Sequence, residues 1–216
     1  DPTQPLRRQK QFWRRQRRMM QPAFHSQRVS EYAQTMIDYA AKHADAWNDL
    51  DGQPIDVWDE MMRLTLAIVA KTLFSADVEG DAHEIGDALK GVIKIFERVA
   101  HPLAGLSLML PTPRTFRIRL ARRRIERTIN RIIVERRASG EDCRDLLSML
   151  LRAQDEDDGG VMNDKQVRDE AITLFLAGHE TTANALTWTW YLLAQNPEVE
   201  RKFHAEINSV LCGKLP

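Results

Sequence analysis

Cysteine is scarce in this 216-residue sequence, with only Cys143 and Cys212. Two thiols cannot build a disulfide scaffold, and these two lack the paired spacing of a metal site. A reducing compartment is therefore expected. No apolar run approaches the ~20 residues that a membrane-spanning helix needs. The start carries no secretory leader pattern. Net charge is missing too. The 31 Lys and Arg balance 31 Asp and Glu, which removes any global field favouring nucleic acid or a membrane surface. There are no internal repeats and no convincing strand. What remains is 43% apolar and 29% charged residues, the composition of a packed globular body. The length suits one domain or a large part of one. Because the sequence opens at Asp1 and closes at Leu215-Pro216, both ends read as cuts, and residues 1–216 are expected to form a single partial domain. A cytoplasmic protein is expected, with an anchor before Asp1 left open.

The text then reads as helix after helix. Tyr32, Met36, Tyr39, Ala40, His43 and Trp47 recur at helical spacing, and Asp51-Gly52-Gln53-Pro54 ends that helix. Asp56 is a candidate N-cap for a helix over 57–74. Residues 82–100 read helical, and 103–110 form an apolar connector bracketed by Pro102, Pro111 and Pro113. Residues 114–138 form a long basic helix closed by Ser139-Gly140. Its apolar positions Phe116, Leu120, Ile125, Ile129, Ile132 and Ile133 supply a buried stripe, and its arginines cover the outside. A short helix from Leu146 and a turn at Gly159-Gly160 follow. Asn163, with Gln166 three positions on, forms a capping-box pattern. It opens a helix over about 164–195, stopped by Asn196-Pro197. Its length is roughly 45–48 Å, enough to cross a whole domain. A last helix runs from Pro197 to about Leu211. The fold class is all-α, organised around the long helix.

That helix holds an oddity. Apolar residues on both sides, Ile172, Leu174, Phe175 and Leu176 before and Leu186, Trp188, Trp190, Tyr191 and Leu192 after, predict burial nearly all round. Between them stands Ala177-Gly178-His179-Glu180-Thr181-Thr182. Gly178 costs about 1 kcal/mol against Ala in a helix interior. Ala177, Gly178 and Thr181 share a face, and a Thr hydroxyl can bond the carbonyl four residues back. The pattern suggests a groove without side-chain bulk, bordered by a hydroxyl and a carboxylate. A helix-packing notch explains the small residues equally well, but it explains Glu180 poorly if that carboxylate is buried. A zinc site is ruled out, because the metalloprotease signature needs a second His where Ala183 stands.

Near the start, residues 1–18 carry seven Lys and Arg against one acid. Trp13 and Arg17 lie four apart, on one helix face. An indole N–H and a guanidinium are both donors suited to a carboxylate. On their own these residues are equally a solvated basic helix or a nucleic-acid arm.

Together and in this order, the two segments resemble the cytochrome P450 family. Ala177-Gly178-His179-Glu180-Thr181-Thr182, flanked by Phe175-Leu176 and Ala183-Asn184-Ala185-Leu186, resembles that family's oxygen-activating helix. Trp13-Arg14-Arg15-Gln16-Arg17-Arg18 followed by Gln21-Pro22-Ala23-Phe24-His25 is similar to the helix that holds the haem propionates. The resemblance implies haem b as cofactor, held by Trp13 and Arg17, with Ala177 and Gly178 against the haem face. It implies Thr181 as the hydrogen-bond partner of bound oxygen, and Glu180 with water as the proton source for O–O cleavage. Partners implied are O2, an apolar small-molecule substrate and an electron-donating reductase or ferredoxin. Arg14, Arg15 and Arg18 are candidates to face an acidic redox partner, and residues 103–110 correspond to a loop over the substrate entrance.

A haem-thiolate enzyme needs a cysteine on the iron. Neither Cys143 nor Cys212 sits in the family's FxxGxRxCxG pattern, and the two are read as structural or incidental. The ExxR pattern occurs at Glu60–Arg63, Glu141–Arg144 and Glu198–Arg201, each explicable as an i,i+3 ion pair. The resemblance covers about residues 12–211 and only the middle half of the family domain, so the iron ligand is expected outside this chain. No metal ligand is assigned within it, and the isolated chain is expected to be inactive. The rival readings are a helical nucleic-acid-binding module using its Arg-rich faces and a purely structural helical piece. The first wants interleaved aromatics or a groove-reading motif.

Overall fold

The computed structural model describes residues 4–75, 113–155 and 159–214. The expected helix over 82–100, the connector over 103–110 and the acidic residues 156–158 lie outside the described residues. The described elements are helices: α1 (Gln4–Met20), a 3-10 turn (Gln21–Phe24), α2 (Ser26–Asn48), α3 (Val57–Phe74), α4 (Pro113–Ser139), α5 (Leu146–Arg152), α6 (Asp164–Gln195) and α7 (Pro197–Leu211). The all-α expectation holds for them. A single isolated antiparallel bridge, Gln154 with Val161, closes the turn before α6. None of these helices is long and apolar enough to cross a membrane.

Local chemistry sets the helix ends. Asp56 accepts from the Asp59 N–H and starts α3. Asn163 accepts from the Gln166 N–H while the Gln166 side chain accepts from the Asn163 N–H, each at 2.9 Å, so the capping box is complete. Gly140, which ends α4, has φ +63°, and Gly159 in the turn before α6 has φ +65°. Both sit in the left-handed region that glycine enters without strain.

The main packing is α3 against α6, running antiparallel. Trp58 Nε1 donates to Asn184 Oδ1 at one end, and the Phe74 and Phe175 rings meet at 5.9 Å near the other. Around that second contact lies the larger core, with Met19, Leu66, Ala70, Ile129, Ile133, Leu147, Leu150, Met162, Val167 and Ala171. A smaller core of Met61, Met62 and Ala183, flanked by Trp47 and Leu186, lies at the other end.

Two expectations need correction. The long helix is not buried all round. Only Val167, Ala171, Phe175, His179 and Ala183 are buried, while Trp188, Trp190, Tyr191 and Leu192 are about half exposed or more. The reason is that α3 and α4 cover a single strip of α6. The apolar stripe of α4 is buried at Ile129 and Ile133 but exposed at Phe116 and Leu120, because the burial lies in the half of the helix where α5 and α6 pack. On α2, Tyr32, Tyr39, His43 and Trp47 are half-buried, whereas Met36 and Ala40 are exposed.

The arginines are more engaged than a solvated surface implies. Arg136 Nη1 bonds Asp145 Oδ1 at 3.0 Å and Ser148 Oγ at 2.6 Å, and Nη2 donates to the Phe74 carbonyl at 3.1 Å. It ties the ends of α3 and α4 to the start of α5. Arg137 pairs with Asp164 and Arg152 with Asp142.

Candidate functional site: an open strip on the long helix

The segment from Ala177 to Thr182 lies in unbroken helix. Thr181 Oγ1 donates to the Ala177 carbonyl at 2.7 Å, and Thr182 Oγ1 donates to the Gly178 carbonyl at 2.8 Å. Each hydroxyl shares an acceptor with the helix ladder, the arrangement that loosens a helix locally. Ala177, Thr181, Asn184, Ala185 and Trp188 are exposed on one side of α6, while Phe175, His179 and Ala183 are buried on the other. The strip through Ala177 and Thr181 therefore carries little side-chain bulk.

This geometry weighs against a packing notch. Ala177 is exposed, so its small size serves no neighbouring helix among the described residues. Gly178 does face α3, but a Cβ placed there would lie 3.4 Å from Val69 Cγ2, an ordinary contact that alanine could make. Packing against α3 thus does not require glycine.

Glu180 is half-exposed, not buried, which removes the demand for a buried partner. The buried polar side chain is its neighbour His179, at 1% exposure. His179 Nδ1 lies 3.1 Å from the Phe175 carbonyl, so Nδ1 carries the proton and Nε2 keeps a lone pair. Among the described residues, Nε2 is buried without a hydrogen-bond partner. The ring stacks at a tilt 5.6 Å from Phe175. Burial pushes the His179 pKa below its ordinary value, against the opposing pull of the Phe175 carbonyl and Glu180. Sequence reasoning missed this role, although the signal was there: 167, 171, 175, 179 and 183 are spaced by four and form one buried strip.

On α1, Trp13 and Arg17 do share a face. The Arg17 guanidinium sits 5.3 Å from the Trp13 ring centre, a cation–π contact, and both side chains are exposed. Among the described residues no carboxylate lies within ion-pair distance of Arg17. Gln16 and Met19 occupy the buried face. The structure thus brings Trp13 to Arg17 and Ala177 to Thr181, as two groups on separate helices, while Gly178 turns toward Val69 of α3 and does not share the exposed face.

The assignment of Arg15 and Arg18 to a redox partner is corrected. Arg18 Nη2 bonds both carboxylate oxygens of Asp155, at 3.0 and 3.2 Å, and Arg15 Nε lies 3.3 Å from Asp155 Oδ2. These cations hold an internal acid, whereas Arg14 is exposed.

The cysteines and ExxR patterns stay outside the site. Cys143 lies in the loop between α4 and α5. Burial raises its thiol pKa, helped by Asp145, Glu141 and Asp142 against Arg136, which disfavours the thiolate that a metal needs. Cys212 caps α7 in the left-handed region. Glu60 and Arg63 form an i,i+3 ion pair at 2.7 Å, and Glu60 also accepts from Trp47 Nε1 and lies 2.9 Å from His43 Nε2. Glu198 and Arg201 are 4.0 Å apart on α7.

Residues 3–215 match the family described as Cytochrome P450. The chain belongs to the cytochrome P450 family. It is similar to cyclooctatin synthase of Streptomyces melanosporofaciens, 42% identical over 205 residues, which cover 94% of this chain and 44% of that protein. A second relative from that organism, cyclooctat-9-en-7-ol 5-monooxygenase, is 38% identical with the same coverage. Among solved structures, the heme domain of cytochrome P450DA aligns with a TM-score of 0.77 and 27% identity over 91% of this chain and 43% of that one. This P450 chain therefore spans less than half the length of the relatives it matches.

Proposed function

We propose that this chain supplies the oxygen-side wall and a propionate anchor of a haem-dependent monooxygenase. The reaction is insertion of one atom of O2 into an apolar organic substrate, with two electrons and two protons reducing the other atom to water. The observation that carries the reading is the open strip on α6, where the exposed Ala177 and Thr181 stand one turn apart and the Thr181 hydroxyl rests on the Ala177 carbonyl.

The residues present fit a haem. Ala177 offers clearance for a flat ring, and Trp13 and Arg17 offer exposed N–H donors for its carboxylates. When bound, haem supplies the iron at which oxygen is activated. Thr181 passes a proton across the strip, because its exposed hydroxyl can turn its hydrogen away from the Ala177 carbonyl about the Cβ–Oγ1 bond. Glu180, half-exposed on the next position, takes protons from solvent and delivers them through water. His179, buried on the opposite strip, holds the helix and takes no part in the transfer.

Residues 1–216 then form one partial domain, with the iron's cysteine in a part of the family domain that this chain does not include. The relative named for cyclooctat-9-en-7-ol supports an apolar, unsaturated substrate class. Electrons come from a reductase or ferredoxin. The free thiols of Cys143 and Cys212 suit a reducing compartment. The nucleic-acid reading loses ground because Arg15, Arg18, Arg136, Arg137 and Arg152 all pair with carboxylates of the chain itself.

The test is Thr181→Ala in the haem-loaded full-length protein, which includes the iron's cysteine, with substrate and electron donor. Oxygen consumption should continue while product per oxygen falls roughly 100-fold, the low end of what a positioned proton donor contributes. Unchanged coupling would refute the proton role of Thr181.

A further inference from the structure

The α1 helix presents three strips around its axis. Gln16 and Met19 are buried in the core. Trp13 and Arg17 are exposed together on a second strip. Arg15 and Arg18, three apart, make the third and converge on Asp155, whose side chain is only 2% exposed. Asp155 is itself fixed. Its N–H donates to the Gly160 carbonyl at 2.9 Å, and its carbonyl accepts from the Gly159 N–H at 2.8 Å. These bonds lie between α5 and α6, beside the Gln154–Val161 bridge.

We infer that Asp155 is a positioning residue for haem binding, which sets the rotation of α1 about its axis so that Trp13 and Arg17 face the haem propionates. The inference rests on the propionate reading of Trp13 and Arg17. The core contacts at Gln16 and Met19 hold α1 against the body, but a single strip of contact permits rolling. A second strip, held by two charged contacts about 100° around the helix, removes that freedom. Arg17 is adjacent to Arg18, so the orientation that satisfies Asp155 dictates where the Arg17 guanidinium points. The link also ties α1 to the turn immediately before α6, so the propionate anchor and the oxygen strip share one rigid connection. Residues that orient a cofactor's ligands from one shell further out commonly change its retention 10–100-fold.

The measurement is the rate of haem transfer from the haem-loaded full-length protein, which includes the iron's cysteine, to excess apomyoglobin. Arg17→Gln should speed haem loss about tenfold, and Asp155→Asn should do the same. The double variant should be little faster than Arg17→Gln alone, because Asp155 acts through Arg17. Asp155→Glu should restore most of the retention. Should Asp155→Asn fail to fold, Arg18→Gln removes one arm of the clamp at a half-exposed position and should speed loss in the same direction. Fast loss in Arg17→Gln with wild-type rates in Asp155→Asn or Arg18→Gln overturns the inference and leaves the propionate reading standing. Full additivity of Asp155→Asn and Arg17→Gln likewise overturns it. A wild-type rate in Arg17→Gln overturns the propionate reading and the inference with it.

Discussion

Replacing Arg136 by Ala should be among the most destabilising single changes in the described part of the chain. The Arg136 side chain is 10% exposed and its partner Asp145 only 2%. Three groups lose a partner at once: the Asp145 carboxylate, the Ser148 hydroxyl and the Phe74 carbonyl at the end of α3. Asp145 keeps its cap bond from the Ser148 N–H at 2.8 Å, but its charge is stranded out of water. Breaking a buried pair from one side costs roughly 3–5 kcal/mol. Arg137 is the internal control, one residue along and paired with Asp164 where both side chains are about half exposed. Its loss should cost about 0–1 kcal/mol. Urea unfolding of the two variants, each against the parent, gives the comparison. At roughly 2–4 °C per kcal/mol for a chain of this size, the expected fall in Tm is about 6–20 °C for Arg136→Ala. A difference under about 1 kcal/mol between the variants would refute the claim that burial, not proximity, gives the Arg136 contacts their weight.

The buried His179 predicts a pH dependence. Its folded pKa is depressed, so the unfolded chain takes up the proton first. Stability should be level above the ordinary histidine pKa of about 6.5 and fall as pH drops below it. Melting curves between pH 5 and 8 should show a shallower acid fall in His179→Phe than in the parent, and parallel curves would count against the assignment. The Asn163 cap should be worth about 1 kcal/mol to α6. Asn163→Ala should lower the denaturation midpoint accordingly and Asn163→Asp should not, whereas equal losses in both would show that the cap oxygen is not what matters.

What could be read without coordinates was local. Asn163 and Gln166 sit three residues apart and satisfy each other, and Asp56 reaches no further than Asp59, so the ends of α3 and α6 were legible. The pairing of Trp13 with Arg17 and of Thr181 with Ala177 is likewise set by helical spacing. The features that escaped depend on distant neighbours. Asp155 meets Arg18 across 137 positions, and no periodicity links an acidic run to a basic one so far away. The burial of His179 was missed and the exposure of Glu180 not foreseen, because burial was inferred from the helix's general apolarity. The particular strip that α3 covers decides it. Trp188 and Tyr191 show the same limit, since an apolar side chain is buried only where a neighbour exists to cover it.

The spacing of the buried strip on α6 has a consequence for tolerance to change. Four residues turn an α-helix about 400°, so each step from 167 to 171, 175, 179 and 183 advances the strip about 40°. Over those sixteen residues it winds through roughly 160° while climbing about 24 Å. The larger core ends at Phe175 and the smaller one takes up at Ala183, about 80° further round, while Ala177 and Thr181 stay on the open side. Such a helix works like a screw thread whose pitch is written in residue count. Losing one residue between Val167 and His179 would turn everything beyond it by about 100°, putting Glu180 where His179 belongs and Asn184 where Ala183 belongs. Substitutions along the open side leave the thread intact. Length, more than side-chain identity, is what this stretch cannot vary.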